Sequence, residues 1–264
     1  MKKADLKIHP RLFTDAAEVA RHAGEELLRR AQAAISQKGL FTLVLSGGST
    51  PKRLYQYLAE KALTPELLKS FWPRVHFFWG DERTVPADHA DSNYHLAWEN
   101  FLVKLNLPEA NIHRMKGESA DPAKAAADYE AELRGFFKLG PGELPSFDLV
   151  FLGMGPDGHT ASLFPGRDAS LEPGRLAVAS WVAKFNTYRL TLTPAVFNHA
   201  ACVIFLVTGE DKAETLEQIL DGGPPPGRYP AQLIRPTRGE LFWFVDPSAA
   251  ARLVPAKKNG RGVD

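Results

Sequence analysis

Short apolar runs alternate with longer amphipathic stretches along most of this chain. Residues 75–79 and 203–207 are such runs, bounded by turn residues and too short to form buried helices. Between the runs, apolar residues recur at every fourth position, as at Val19, Ala23 and Leu27, which is the spacing of one helix face. The alternation predicts an α/β fold in which a mostly parallel sheet is covered by helices on both faces.

The order of these elements can be predicted along the chain. Buried strands are expected at residues 41–45, 75–79, 147–152, 203–207 and 241–245, and a half-buried strand at 189–193. Helices are expected from Thr14 to about Gln37, from about residue 50, and over residues 92–104, 121–140 and 211–220. Because no repeat or linker divides the chain, we expect one domain over residues 1–254, with a surface loop at 222–227 and a flexible C-terminal tail at 255–264.

Charge and cysteine content narrow the range of functions. The 32 basic and 31 acidic residues give a net charge of +1, which argues against a nucleic-acid partner or an anionic membrane partner. No apolar run is long enough to span a membrane. The single cysteine, Cys202, fits a reducing compartment, so we expect a cytoplasmic protein. The scattered histidines show no metal-ligand spacing, and we expect no metal site.

The first candidate site follows the strand at residues 41–45. Two glycines let backbone N–H groups approach an anion, hydroxyls add donors, and the next helix presents its positive N-terminal end. The segment consists of Ser46, Gly47, Gly48, Ser49 and Thr50. A phosphate would fit there, although a plain strand-to-helix turn has a similar composition and the P-loop spacing is absent.

The second candidate site is a charged segment at the end of the strand at residues 75–79. It contains Asp81, Glu82 and Arg83, at the edge where ligands of parallel sheets bind. Arg83 could clamp a phosphate or carboxylate, and Asp81 could bind sugar hydroxyls. A solvated loop is the alternative interpretation, because most runs of charged residues are solvated.

The third candidate site is a glycine-rich segment after the strand at residues 147–152. Asp157 and His159 stand two residues apart in it, and a histidine can act as a base near neutral pH. The segment also matches the dinucleotide pattern Gly-x-Gly-x-x-Gly. We reject a dinucleotide site because Asp157 would face the pyrophosphate and because the segment lies outside the first βαβ unit.

Two further cations could complete an anion site. Arg189 lies on the half-buried strand, and Lys212 lies near the start of a helix. A lysine at a helix N-terminus is electrostatically unfavourable unless an anion binds nearby. Taken singly, each could equally be a surface residue.

In order and spacing, these segments resemble the 6-phosphogluconolactonase family, which shares its fold with the glucosamine-6-phosphate deaminases. The matching segments are Leu45-Ser-Gly-Gly-Ser-Thr-Pro51, Trp79-Gly-Asp-Glu-Arg83, Ser92-Asn93, Gly153-Met-Gly-Pro-Asp-Gly-His-Thr-Ala-Ser-Leu-Phe-Pro-Gly166, Arg189-Leu-Thr-Leu-Thr193 and Thr208-Gly-Glu-Asp-Lys212. Each segment alone is weak evidence, whereas the ordered set is specific. The resemblance implies a Rossmann-like fold of the deaminase type.

The resemblance also implies an activity, the hydrolysis of 6-phospho-D-glucono-1,5-lactone to 6-phosphogluconate in the oxidative pentose phosphate pathway. It assigns the role of general base to His159, with Asp157 beside it. It assigns the phosphate to residues 46–50, with Arg189 and Lys212 as cationic partners. It implies a small sugar-phosphate substrate, and we expect no cofactor and a monomer or small homo-oligomer.

Two rival functions are open to test. Deaminases of the same fold have a glutamate five residues after the motif histidine, whereas this chain has Phe164 there, which cannot transfer a proton. A non-catalytic sugar-phosphate sensor would normally carry a DNA-binding segment, and we find no helix-turn-helix with a basic recognition helix.

Overall fold

The computed structural model describes residues 10–166, 174–220 and 228–253. Its strands are β1 (Arg11–Leu12), β2 (Phe41–Leu45), β3 (Val75–Trp79), β4 (Asp81–Arg83), β5 (Ile112–His113), β6 (Leu149–Gly153), β7 (Ala177–Val182), β8 (Thr187–Leu192), β9 (Cys202–Val207) and β10 (Glu240–Val245). Its α-helices are α1 (Ala16–Lys38), α2 (Ser49–Lys61), α3 (Asn93–Asn100), α4 (Pro122–Phe137), α5 (Pro194–Asn198) and α6 (Ala213–Leu220). Single turns of 3₁₀- or π-helix join several of them, including Leu67–Phe71, Leu102–Lys104, Ala183–Phe185 and Glu210–Lys212.

Seven strands form the main sheet, in the order β1-β10-β9-β6-β2-β3-β5. Every pairing in it is parallel, which confirms the predicted parallel sheet. From β2 the chain proceeds through β3 to β5 on one side, and from β6 through β9 to β10 on the other. The strand order therefore reverses between β2 and β6, and ligands of such sheets bind beyond the carboxyl ends of the strands at this point.

Side chains on the two faces of the sheet enter two separate cores, because successive residues of a strand point to opposite faces. In β2, Leu43 and Leu45 pack with α1 and α2, while Val44 packs with α4, α5 and α6 on the other face. The prediction of helices on both faces is confirmed. The single cysteine, Cys202, is buried in the first of these cores, where it is unavailable for a disulfide.

The sequence analysis did not predict a second, smaller sheet. It has the order β4-β8-β7, both of its pairings are antiparallel, and it packs against α4. The segment containing Asp81 was predicted to be a charged end of the strand at residues 75–79, with a solvated loop as the alternative, but it forms a separate strand that pairs with β8. The half-buried strand predicted around Arg189 is confirmed as β8, although its partners lie in this second sheet.

Several predicted helix ends were wrong by a few residues. Asp15, not Thr14, caps α1, because its Oδ1 accepts hydrogen bonds from Ala17 N and Glu18 N at 2.8 and 2.9 Å. Gly39 ends α1 as predicted, in the left-handed region with φ 85°. The helix α4 ends at Phe137, ahead of the predicted glycine-proline segment, because Lys138 adopts a left-handed conformation.

Two predicted segments, the surface loop at 222–227 and the tail at 255–264, lie outside the described residues. Among the helices that the structure describes, none is both long and apolar enough to cross a membrane.

Candidate active site

An open cleft with a cavity volume of about 210 Å³ lies at the carboxyl ends of β2 and β6, where the strand order reverses. It brings together residues from all three candidate segments and from the end of β9. The predicted site residues that line it are Ser46, Gly47, Gly48, Ser49, Thr50, Asp81, Arg83, His159 and Lys212. Asp157 and Arg189 are not among the lining residues. Asp157 is hydrogen-bonded to His159, and Arg189 lies opposite Arg83, and both of these neighbours line the cleft.

The segment of residues 46–50 turns sharply from β2 into α2. Gly48 makes the turn with φ 109°, a conformation that side chains disfavour. The buried hydroxyl of Tyr55 accepts a hydrogen bond from Ser46 N at 3.3 Å and donates one to Ser46 O at 2.6 Å, which fixes the turn on the helix. The buried Ser46 Oγ has no hydrogen-bond partner. The N-terminus of α2 and this hydroxyl together make a site suited to an anion.

Asp81 is buried at the wall of the cleft, and both of its carboxylate oxygens already accept hydrogen bonds. Asn93 Nδ2 donates to Oδ1 at 3.1 Å, and Ser162 Oγ donates to Oδ2 at 2.7 Å. Asn93 also lines the cleft, and a side chain on Gly47 would collide with it. Sequence analysis gave Asn93 no role, although its position in the Ser92-Asn93 match was a usable signal.

The neighbouring side chains of Glu82 and Arg83 have different roles: one binds the start of α3, and the other lines the cleft. Glu82 is buried and accepts hydrogen bonds from Asn93 N and Tyr94 N at 2.7 and 2.9 Å, which caps α3. Burial raises the pKa of the Glu82 carboxyl, against the effect of these backbone donors. Arg83 instead lines the cleft and donates from one terminal nitrogen to Asp91 O at 2.5 Å.

His159 and Asp157 form a hydrogen-bonded pair at the edge of the cleft. The distance from His159 Nδ1 to Asp157 Oδ1 is 2.5 Å. Although burial opposes the change, the hydrogen bond and charge of His159 hold the pKa of Asp157 below its ordinary value. An ionised carboxylate can only accept hydrogen bonds, so Nδ1 of His159 must carry the hydrogen. Nε2 is then the nitrogen that can act as a base.

Backbone contacts hold the loop that carries this pair. Gly155 N donates to His159 O at 2.9 Å, and Gly158 N donates to Gly155 O at 2.9 Å. A side chain at Gly155 would collide with the His159 ring, so only glycine fits there. From outside the loop, Thr215 Oγ1 on α6 donates to Pro156 O at 2.6 Å. The loop is therefore held by its own backbone hydrogen bonds and by α6.

The two predicted cations occupy different positions. Lys212 lines the cleft beside residues 46–50, in the Glu210–Lys212 turn, and its Nζ lies 2.6 Å from Asp211 Oδ2. Arg189 lies on β8 opposite Arg83, outside the lining residues. Burial and then the charge of Arg83 lower the pKa of Arg189. Thr50 Oγ1 and Thr208 Oγ1 are 2.7 Å apart, which links the two loops that flank Lys212.

Fold and cleft define an α/β enzyme whose site, at the switch point of a parallel sheet, combines a turn suited to an anion with a His–Asp pair. The family model described as glucosamine-6-phosphate isomerases/6-phosphogluconolactonase matches residues 14–243. The chain belongs to this family, which confirms the predicted resemblance.

Individual relatives agree with the family match. A 6-phosphogluconolactonase of Synechocystis sp. is 45% identical over 84% of this chain and 88% of its own length. A 6-phosphogluconolactonase of Nostoc sp. is 42% identical over 86% of this chain and 90% of its own. The solved structure of 6-phosphogluconolactonase from Trypanosoma cruzi superposes with a TM-score of 0.83 at 32% identity, over 94% of this chain and 98% of the other.

A monomeric glucosamine-6-phosphate deaminase also superposes, with a TM-score of 0.75 at 16% identity, over 92% of this chain and 99% of the deaminase. At that identity the likeness concerns the fold alone. It agrees with the predicted deaminase-type architecture.

Proposed function

We propose that this chain hydrolyses 6-phospho-D-glucono-1,5-lactone to 6-phosphogluconate, with His159 as the general base. The observation that carries the proposal is the hydrogen bond of 2.5 Å between His159 Nδ1 and Asp157 Oδ1, in a cleft that also holds an anion-binding turn. Asp157 holds the hydrogen on Nδ1, and the imidazole can then accept a proton at Nε2. The relatives that are 42–45% identical carry the name of this lactonase.

The phosphate of the substrate is proposed to bind at residues 46–50. The helix α2 begins there at Ser49, so its unpaired N–H groups and positive dipole end face the cleft. Lys212 supplies a full positive charge from the facing loop, and the unpaired Ser46 Oγ supplies a donor. Arg189 adds positive potential through its position opposite Arg83. Asp81, held by Asn93 and Ser162, is proposed to meet the sugar hydroxyls.

The chemistry requires only a base and a group that stabilises negative charge. His159 Nε2 takes a proton from water as the water oxygen attacks C1 of the lactone. The bond from C1 to the ring oxygen then breaks, the imidazolium returns its proton to that oxygen, and the carboxylic acid ionises. A general base contributes about a hundred- to ten-thousand-fold to such a step.

Arg83 is the favoured donor to the oxyanion that forms at C1. The N–H groups of Gly155 and Gly158 already donate within the loop, so they are not free to do so. Arg83 lines the same cleft as His159 and carries a full charge. A preorganised cation placed beside the reacting carbonyl stabilises the negative charge that develops there.

We also propose that the enzyme is cytoplasmic, acts without a nucleic-acid or membrane partner, and forms a monomer or small homo-oligomer built from one domain over residues 1–254. The balanced charge of 32 basic and 31 acidic residues supports the absence of nucleic-acid and membrane partners, and the single cysteine fits a reducing compartment such as the cytoplasm. Size-exclusion chromatography with light scattering would measure the oligomeric state.

The lactonase test generates the lactone from glucose 6-phosphate with its dehydrogenase and follows 6-phosphogluconate formation. The spontaneous hydrolysis of the lactone is subtracted as a blank. We expect the wild type to accelerate hydrolysis and His159→Ala to lose at least a hundredfold in rate. His22→Ala, a half-buried histidine of α1 that does not line the cleft, should match the wild type. Hydrolysis no faster than the blank with the wild type would rule out the function, and a folded, fully active His159→Ala would rule out the mechanism.

A further inference from the structure

We propose that Phe164 is a positioning residue for His159, because its ring stacks on the imidazole. The two ring centroids are 4.5 Å apart, and the ring planes differ by 24°. The proposal deepens the lactonase function proposed above and rests on it. His159 lines the cleft and Phe164 is not among the lining residues, so the proposed role of the phenylalanine is to act through the base.

A tight hairpin within the catalytic loop brings the two rings together. Thr160 and Leu163 form an antiparallel bridge, in which Leu163 N donates to Thr160 O at 3.0 Å and Thr160 N donates to Leu163 O at 3.4 Å. His159 and Phe164 are the next residues outward on the two arms of this hairpin. Their side chains are therefore neighbours by construction, as cross-strand pairs are in a sheet.

The hairpin is held in a conformation that the backbone alone disfavours. Ala161 at its tip has φ 48°, in the left-handed region that residues other than glycine seldom adopt. The next residue, Ser162, is anchored by its hydrogen bond to Asp81 Oδ2 at 2.7 Å. Strained backbone of this kind persists where the surroundings over-determine it and is frequent at functional sites. Here its consequence is the stack of Phe164 on His159.

Two constraints then define the orientation of the imidazole. Asp157 fixes the direction of the Nδ1–H bond, and Phe164 fixes the plane of the ring. With either one alone, the ring could still tilt about the remaining contact. With both, Nε2 keeps one direction, and the alignment of a base with its proton is what a positioned catalytic group supplies.

The turn Ala183–Phe185 supports this arrangement from outside. Phe185 is 46% exposed, which is unusual for a phenylalanine, yet its ring packs edge-on against Phe164 with centroids 5.9 Å apart. The guanidinium of Arg189 lies over the ring of Phe185, 5.2 Å from the ring centroid. Lys184 on the same turn places Nζ 3.4 Å from Asp157 Oδ2. The turn Ala183–Phe185 thus contacts both Asp157 and Phe164, the two residues that orient His159.

The test measures kcat and KM separately for Phe164→Leu and Phe164→Tyr. Leucine keeps apolar volume but loses the flat ring, so we expect kcat to fall about tenfold or more while KM changes less than about twofold. Tyrosine keeps the stack and should restore kcat to within about twofold of the wild type. Circular dichroism and thermal melting establish that each variant is folded.

Phe137→Leu, a phenylalanine that packs beside the core away from the cleft, controls for loss of ring area and should leave kcat unchanged. A folded Phe164→Leu with wild-type kcat would overturn the proposal and leave the lactonase standing. A rise in KM with unchanged kcat would also overturn it, as would a Phe164→Tyr variant that is as impaired as Phe164→Leu. A wild type no faster than the blank would remove the proposed function and this proposal together.

Discussion

Arg83 and Arg189 lie directly opposite each other on the paired antiparallel strands β4 and β8. The Nε atom of each is buried and has no hydrogen-bond partner. Like charges at directly opposed positions destabilise a strand pair, and burial together with Arg83 lowers the pKa of Arg189. An anion bound in the adjoining cleft would relieve this repulsion.

Arg189→Met should therefore separate stability from ligand binding. Without ligand, we expect the melting temperature to stay equal or to rise, because one of two opposed charges is gone. When 6-phosphogluconate is present at a hundred times its Kd for the wild type, the free energy of unfolding of the wild type rises by about 2.7 kcal/mol. At the same ligand concentration, the rise for the variant should be clearly smaller. Differential scanning fluorimetry measures both effects, with the exposed Arg74→Met as control. An unchanged ligand-induced shift would show that Arg189 takes no part in anion binding.

Asp157→Asn should reduce activity and change how stability depends on pH. Asparagine cannot hold the His159 tautomer as a carboxylate does, so we expect kcat to fall by about a hundredfold or more with KM little changed. The folded-state pKa of Asp157 is lowered, mainly by His159 against the effect of burial. The carboxylate therefore contributes stability above the unfolded-state pKa of about 3.9, and this is lost as pH falls through the lowered value.

Melting curves of the wild type and Asp157→Asn between pH 2 and pH 7 measure that contribution. The wild type should be the more stable protein near neutral pH, and the difference should vanish at the acidic end. A difference that grows on acidification would contradict the assigned direction of the shift.

Gly155→Ala should impair catalysis with little loss of folding. The added methyl group would collide with the His159 ring, and displacement of a catalytic group by about 1 Å can cost a hundredfold in rate. Gly135→Ala is the matched control, because Gly135 lies on the exposed face of α4 with open space around its α-carbon. The control should keep full activity and gain about 0.5–1 kcal/mol in helix stability. Equal activity in both variants would contradict the close packing of the loop on the histidine.

Tyr129→Phe should destabilise the protein. The buried Tyr129 hydroxyl accepts a hydrogen bond from Trp79 N and donates one to Trp79 O, both at 3.1 Å. The edge strand β5 pairs only with Phe77 and Phe78, so these groups of Trp79 depend on the tyrosine. Removing the hydroxyl leaves two buried backbone groups unpaired, and we expect a loss of about 1–3 kcal/mol in the free energy of unfolding.

Chemical denaturation measures that loss, with Tyr188→Phe as control. Tyr188 is 43% exposed, and its variant should stay within about 0.5 kcal/mol of the wild type. An equally small effect at Tyr129 would mean that water or a backbone shift satisfies Trp79.

The residues of the cleft were predictable because strand ends are local features of the sequence. Each of the segments 46–50, 81–83 and 153–159 follows an apolar run, and a parallel sheet brings such ends to one edge. The pairing of Asp157 with His159 was equally predictable, since a separation of two residues in a glycine-rich turn keeps them close. Their roles as base and partner remain predictions.

Other parts of the site depend on contacts between distant segments. The sequence indicated that Asp81, Glu82 and Arg83 belong to one charged segment, but not that Glu82 caps α3 while Asp81 and Arg83 face the cleft. That division arises because β4 pairs with β8, more than a hundred positions later in the sequence, and alternate side chains of a strand point to opposite faces.

The sequence by itself determined the class of fold, the family and the three loops that meet at the cleft, because apolar periodicity and turn chemistry are encoded over a few residues. Only the tertiary structure decided that a second, antiparallel sheet sets Arg189 against Arg83, that Asn93 joins the wall of the cleft, and that Phe164 stacks on His159. These relationships depend on the register of strands and on the conformation of one strained turn, and both are fixed by packing across the whole molecule.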